Sequence, residues 1–329
     1  MRFKNVWTNA TVISATDVAE NVRLIELQPE GGIQAYNAGA HLDVSVFIND
    51  LPQIRHYSIV GTYEANRPYR IAVKRLAASR GGSEYMWRLS SGQQLVISQP
   101  KNQFQLTFGY NQYVLIAGGI GITPIYGMAL ELAAMGADFR LLYAGSSRRE
   151  MPFIEDLKKC IGDRLSIFAS NEGGRINVEA EITALSEGTQ LYVCAPMRML
   201  DVARRVWHQQ KRPLGDLRHE TFAASGQFAP QPFEVHVPRL DVTLTVPENQ
   251  TLLDALTDAG VAVMSDCLRG ECGLCMVDIM ECTGKIDHRD MFFSDEQKAD
   301  NRKLCACVSR VVDGNVVIDT AYRGKLSKI

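Results

Sequence analysis

The sequence predicts three successive domains of different fold class: an antiparallel β-barrel, an α/β domain with a doubly wound parallel sheet, and a small α+β domain. Three observations carry that prediction. Short alternating apolar runs fill the first third, strand and helix patterns take turns through the middle, and six of the eight cysteines fall at Cys267 or later.

A chain of 329 residues is long enough for that many cores. Its 46% apolar and 22% charged residues are ordinary for a soluble globular protein. A net charge of −2 argues against nucleic-acid binding. No stretch approaches the roughly 20 apolar residues of a membrane span. The opening, Met1 to Val18, alternates apolar and polar residues, which predicts a first strand in place of a signal peptide and hence a cytoplasmic protein. Charge is unevenly shared. From Phe233 onward 16 Asp and Glu face 11 Lys and Arg, a net of −5 that leaves +3 on the rest.

Residues 1–110 are read as the barrel. Alternating runs at Val22–Leu27, His41–Phe47, Tyr69–Lys74 and Gln94–Ser98 are parted by Gly, Pro and Asn turns, with few helical stretches. Residues 111–223 are read as the parallel sheet. Tyr113–Ala117 ends in glycines and leads into a helical stretch around Ile125–Ala134. Further apolar runs follow at Phe139–Tyr143, Leu165–Ala169 and Gln190–Cys194. Residues 224–232 are polar and proline-bearing, as a linker is. Residues 233–329 form the last domain. They open with strand patterns at Phe233–Val237 and Val242–Val246, then a helix near Thr251 capped by the Glu248-Asn249-Gln250 stretch.

The cysteine loop follows. Cys267, Cys272 and Cys275 have the spacing C-x4-C-x2-C. In a chain without an export signal, such a cluster reads as a metal site and not as disulfides. This is the plant-type [2Fe-2S] spacing, in which a distant fourth thiolate completes the set. Zinc sites usually show two C-x2-C-like pairs, and this loop lacks them. Gly270 and Gly273 let the loop bend tightly enough for backbone N–H groups to face the sulfurs. Two cysteines compete for the fourth position: Cys305, with 29 residues between it and Cys275, and Cys307 two further on. Cys282 is too near in sequence and belongs to the strand leaving the loop.

Two glycine-rich turns also carry chemistry. Gly118-Gly119-Ile120-Gly121-Ile122-Thr123-Pro124 follows a strand and precedes a helix, where a dinucleotide pyrophosphate can approach the backbone. Pro124 suits the first helical position. Upstream, Arg55-His56-Tyr57-Ser58 lies on a barrel strand. Ser79-Arg80-Gly81-Gly82-Ser83 opens a helix and offers amides, a hydroxyl and a cation to a phosphate.

Together these motifs resemble the phthalate dioxygenase reductase family, which includes the vanillate demethylase and carnitine monooxygenase reductases. The resemblance spans essentially the whole chain and keeps its domain order. It implies a β-grasp, ferredoxin-like last domain. It also implies the reductase component of a Rieske-type oxygenase system, taking a hydride from NADH onto FMN and passing single electrons through a [2Fe-2S] cluster to the terminal oxygenase. By the same resemblance Arg55, His56, Tyr57 and Ser58 bind FMN, and Gly81, Gly82 and Ser83 hold its phosphate. Ala72, Val73 and Lys74 lie along the flavin, with Thr123 on the nicotinamide side. Phe222 matches the family's aromatic after the last sheet strand. NADH docks on Gly118, Gly119, Gly121 and Pro124, with Thr123 and Cys194 beside the nicotinamide.

The resemblance also selects Cys307 as the fourth metal ligand, because Cys307-Val308-Ser309-Arg310 fits the family's Cys-x-Ser-Arg. Strand alternation then puts Cys305 and Cys307 on one face, so that Cys305 can substitute when Cys307 is lost. The segment Asp287-His288-Arg289-Asp290 is read as structural. Two departures stand out: Cys194-Ala195-Pro196 replaces the family's Cys-Gly-Pro, and Ser146 stands where an arginine is usual, with Arg148 and Arg149 displaced downstream. Two rival readings are a reductase for a di-iron monooxygenase and a redox-sensing protein without turnover. Domain order argues against the first, and the intact glycine turn and cysteine set against the second.

Overall fold

Alternation in the first hundred residues becomes a barrel because each strand turns one row of apolar side chains inward. The computed structural model describes residues 6–48, 51–76, 81–222, 228–248 and 250–320. Ser79, Arg80, Asn249, residue 223 and residues 224–227 of the expected linker lie outside the described residues. The chain divides into two compact units, Met1–Glu220 and Thr221–Ile329.

The first unit begins with β1 (Trp7–Ala19), β2 (Val22–Pro29), β3 (His41–Ile48), β4 (Leu51–Ser58), β5 (Tyr69–Lys74), helix α1 (Gly82–Trp87) and β6 (Gln94–Ser98). The strands pair in the order β4-β3-β6-β1-β2-β5. Every pair is antiparallel. A bridge between Ile59, just past β4, and Ile71 of β5 closes the ring. Val12, Ile25, Leu27, Leu42, Val44, Ile71 and Ile97 fill the interior with no exposed surface.

The parallel sheet of the same unit comprises β7 (Gln112–Gly118), α2 (Ile122–Ala134), β8 (Phe139–Gly145), α3 (Ile154–Ile161), β9 (Leu165–Ala169), α4 (Val178–Thr183), β10 (Thr189–Cys194), α5 (Met197–Gln209) and β11 (Leu217–Glu220). Its order is β11-β10-β7-β8-β9. The winding therefore reverses between β7 and β10, and the crevice beyond their carboxyl ends is where open α/β sheets bind ligands. α2 starts three residues earlier than its apolar periodicity predicts, so Pro124 is its third residue and not its first. The position still lies in the first turn, where a missing N–H costs no helical bond.

The second unit holds β12 (Phe233–Val237), β13 (Val242–Val246), α6 (Leu252–Asp258), β14 (Met276–Cys282), β15 (Lys285–Asp287), α7 (Asp295–Asp300), β16 (Lys303–Cys305), β17 (Arg310–Val312) and β18 (Val316–Thr320). A mixed sheet runs β13-β12-β18-β14-β16, and β15 pairs with β17. Leu252 and Leu256 of α6 pack into the core with Val235, Val277 and Ile318. The cap of α6 is Thr251, whose hydroxyl accepts from Asp254 N at 3.0 Å, and not the preceding polar stretch. Threonine wins because its oxygen reaches the third helical amide while its own backbone stays extended. Among the described residues no helix is long and apolar enough to cross a membrane.

Candidate functional site

The nine-residue loop Cys267–Cys275 folds through three residues with left-handed backbone, Leu268, Gly270 and Gly273. Gly270 admits no side chain, because a Cβ there would meet Val308 Cγ2 at 2.6 Å and Asp290 Cα at 2.9 Å. The turn aims amides inward as expected: Arg269 N and Glu271 N both donate to Cys267 Sγ at 3.4 Å. Four sulfurs converge in two pairs. Cys267 and Cys272 are hydrogen-bond partners, and the sulfurs of Cys275 and Cys307 are 3.2 Å apart.

The far wall comes from β16 and the turn that follows it. Met276 is the register partner of Cys305, and Ala306 N donates to Cys275 O at 3.0 Å. The expected strand alternation fails here. Cys305 ends β16, while Cys307 sits in a turn closed by Ser309 N on Cys305 O at 2.9 Å. Both cysteines nevertheless reach Cys275. Cys307 faces the loop, close to Cys267 and to the Gly270 amide. Cys305 instead lies beside Asp290. Hydrogen bonds with Cys305 and Cys307 hold the Cys275 thiol down at about 3, and the same bonds, with burial, push Cys305 and Cys307 up. Cys282 is the last residue of β14, where its carbonyl partner is Gly284.

The Asp287–Asp290 segment is a buttress. Buried Asp290 accepts from Phe293 N at 3.0 Å and from Ser309 Oγ at 3.2 Å, and Met291 N donates to Gly270 O at 2.8 Å. Arg289 pairs with Asp287 at 2.7 Å.

In the first unit, Arg55 and the glycine turn before α1 meet across 27 residues of sequence. A Cβ on Gly82 would lie 2.7 Å from Arg55 Nε, so glycine is what lets the guanidinium reach the head of α1. Gly81 heads that helix with left-handed backbone, and Leu76 N donates to Ser83 Oγ at 3.4 Å. Along β4, Tyr57 is half-buried and burial pushes its hydroxyl above the ordinary range. Ser58 Oγ is buried with no hydrogen-bond partner among the described residues, which fits a polar edge of a bound ring. His56 turns the other way. Its Nδ1 meets Asp43 Oδ1 at 2.6 Å in a buried cluster with His41 and Lys101. Burial alone would raise the Asp43 carboxyl, but its bonds to His41, His56 and Lys101 hold it far below the carboxylate range.

Ala72 and Val73 of β5 are buried, and the Lys74 ammonium goes to Glu150 at 2.9 Å. β5 lies against the Gly119–Gly121 turn. That turn touches β10: a Cβ on Gly121 would fall 2.0 Å from Cys194 O and 3.2 Å from its Sγ. Gly118, Gly119, Gly121 and Cys194 are thus brought together at the switch point. Thr123 is buried and donates to Ile120 O at 3.0 Å. Ala195 is accommodated, its methyl turned to Gly118. Phe222 follows β11 by one residue, half-buried, at the start of the second unit.

Sequence reasoning missed two features. Register sets Glu220 beside Cys194, and the residue is 3% exposed; its place at the end of the last strand was the available signal. The other is a groove of about 420 Å³ that gathers Arg175, before α4, with Arg198 and Arg205 of α5.

A glycine turn facing Arg55 in the barrel, a glycine turn at the switch point of the parallel sheet and a three-cysteine loop joined by Cys307 are the features of a flavin and iron-sulfur reductase. Residues 235–312 match the family profile of the 2Fe-2S iron-sulfur cluster binding domain. The chain is 37% identical over 316 residues to the vanillate O-demethylase oxidoreductase of a Pseudomonas strain, covering 92% of this chain and 96% of the relative. It is 34% identical over 320 residues to a toluene-4-sulfonate monooxygenase system reductase subunit of Comamonas testosteroni, covering 94% and 98%. Its fold matches the solved phthalate dioxygenase reductase with a TM-score of 0.72 at 29% identity, over 95% of this chain and 98% of that one. The chain belongs to the phthalate dioxygenase reductase family, oxidoreductases that serve oxygenase systems through a flavin and a [2Fe-2S] cluster.

Proposed function

We propose that this chain is the NADH-dependent, FMN-containing reductase of a Rieske-type oxygenase. Residues 1–110 hold the flavin, 111–223 the nucleotide and 233–329 the cluster, after a linker at 224–232. The observation that carries the reading is the convergence of Cys267, Cys272, Cys275 and Cys307 in two pairs. That donor set suits two irons sharing four thiolates. Cys307 is the fourth ligand because it lies close to Cys267 and the Gly270 amide, whereas Cys305 lies beside Asp290.

When bound, the flavin takes the hydride of the nicotinamide and the cluster carries electrons onward one at a time. The protein's own part is positioning. Arg55, with Gly81, Gly82 and Ser83, grips a terminal phosphate. Ser58 and Tyr57 offer hydroxyls to the ring, and Ala72, Val73 and Lys74 give it a flat strand to lie along. Gly118, Gly119, Gly121 and Pro124 admit the dinucleotide, with Cys194 and Glu220 flanking the nicotinamide. Thr123 contributes shape, since its hydroxyl already bonds Ile120. NADH is favoured over NADPH because Arg148 is paired with Glu172 at 2.7 Å and is not poised for a 2′-phosphate. None of the eight cysteines forms a disulfide, which suits the reducing cytoplasm.

Cofactor extraction tests the first half: FMN and about two irons per chain are expected, and FAD in the acid extract would overturn the FMN assignment. Electron delivery tests the second. Reduction of a di-iron hydroxylase but of no Rieske oxygenase would move the chain to the rival reading.

A further inference from the structure

Three thiols, not two, meet at the far wall of the cysteine loop, and the two pairs of the ligand set leave Cys305 over. It has no exposed surface and its sulfur is a hydrogen-bond partner of Cys275. Its backbone is fixed relative to that ligand by the β14–β16 register and by Ala306 N on Cys275 O. Thiols are weak donors, yet a sulfur that holds metal is an anionic acceptor.

We propose that Cys305 is a positioning residue of the cluster site, whose S–H donates to the sulfur of Cys275 and raises the reduction potential of the metal group held there. The proposal rests on the ligand set given above. Its physical basis is differential. A ligand sulfur is more negative after the metal group gains an electron, so a donor aimed at it stabilises the reduced state more than the oxidised one. Arg269 N and Glu271 N perform the same service for Cys267 from the loop backbone. Cys275, in the buried half of the site, takes a side-chain donor as well.

The test uses the full-length holoprotein with Cys305→Ala, Cys305→Val and Cys305→Ser. Iron content and an EPR-monitored redox titration are measured for each. All three variants should retain iron. The two donorless variants should shift to lower potential, with the reduced-to-oxidised ratio at a fixed potential falling roughly threefold to tenfold, tenfold being about 59 mV for one electron. The serine variant keeps a donor and should stay at or above the parent. Unchanged potential in the alanine and valine variants, or an equal fall in all three, would make Cys305 mere core packing and sink the proposal while leaving the ligand set intact. Loss of iron from all three would instead make Cys305 a ligand and overturn the reading beneath it.

Discussion

The two units prepare their sites by opposite means. In the second, four side chains supply the donor atoms of the proposed cluster site, three of them from one nine-residue loop. In the first, no single side chain dominates. The phosphate cradle and the nucleotide turn are made of backbone shape, at Gly82 against Arg55 and Gly121 against Cys194, with elements far apart in sequence. A site made of ligands fails outright when one is lost, whereas a site made of shape and hydrogen bonds weakens by degrees.

The largest effects should therefore fall on the loop. Serine at Cys267, Cys272 or Cys275 is expected to bring iron to background and abolish electron delivery to the oxygenase. NADH-driven reduction of an artificial two-electron acceptor should persist, because the flavin and nucleotide elements lie in the other unit. Loss of both activities together would erase the contrast between the units.

Next in size is Gly121→Ala. Its new methyl would sit 2.0 Å from a backbone oxygen of Cys194, and neither partner is a flexible side chain. Overpacking of this kind costs about 1–3 kcal/mol, and the upper end applies where backbone must shift. Flavin reduction by NADH in stopped flow should slow by more than tenfold. Gly119→Ala is the control: open space surrounds it and only a left-handed backbone, φ +55°, opposes the change, at about 1–2 kcal/mol. Equal damage from both would show that the close approach of Gly121 to Cys194 matters little.

Arg55→Ala should weaken without abolishing. Hydrogen bonds to a charged group contribute about 1.5–3 kcal/mol, or roughly a tenfold to hundredfold rise in the FMN dissociation constant. Titration of FMN into deflavinated protein reads it directly, and Arg55→Lys should fall between, having the charge without the fork. No change would remove Arg55 from the phosphate site.

Legibility in the sequence follows the same division. The cysteine loop and both glycine turns announce themselves because each is a local string whose residue types answer local needs, positive φ at Gly270 and Gly273 among them. Side-chain direction was harder. Arg55 and Tyr57 share one face of β4 by alternation, so His56 belongs to the other, where Asp43 holds it. Cys307 was selected as the fourth ligand by its Cys-Val-Ser-Arg string and not by periodicity, and the alternation argument failed because the strand ends at Cys305. Glu220 offered only its place at the end of the last strand as a signal, and its register with Cys194, a property of strand pairing, is what brings it to the site.

The smallest effect tests nucleotide choice, the least local feature of the first unit. Arg148 stands in the short turn after β8, and its Nε meets Glu172 Oε2 at 2.7 Å. Both side chains are nearly half exposed. An ion pair of that kind is worth at most about 1 kcal/mol, so it biases the arginine without locking it. Glu172→Gln removes the competing charge but keeps the size, leaving Arg148 available to a 2′-phosphate. Catalytic efficiency with NADPH should rise by about twofold to fivefold, which is what 1 kcal/mol permits, and efficiency with NADH should hold. Added salt should erase the gain, since exposed charges are screened. Arg148→Ala in the Glu172→Gln background should do the same. If NADPH use is unchanged by Glu172→Gln, discrimination does not pass through Arg148. If the parent already uses both nucleotides equally, the pairing with Glu172 has no bearing on nucleotide choice.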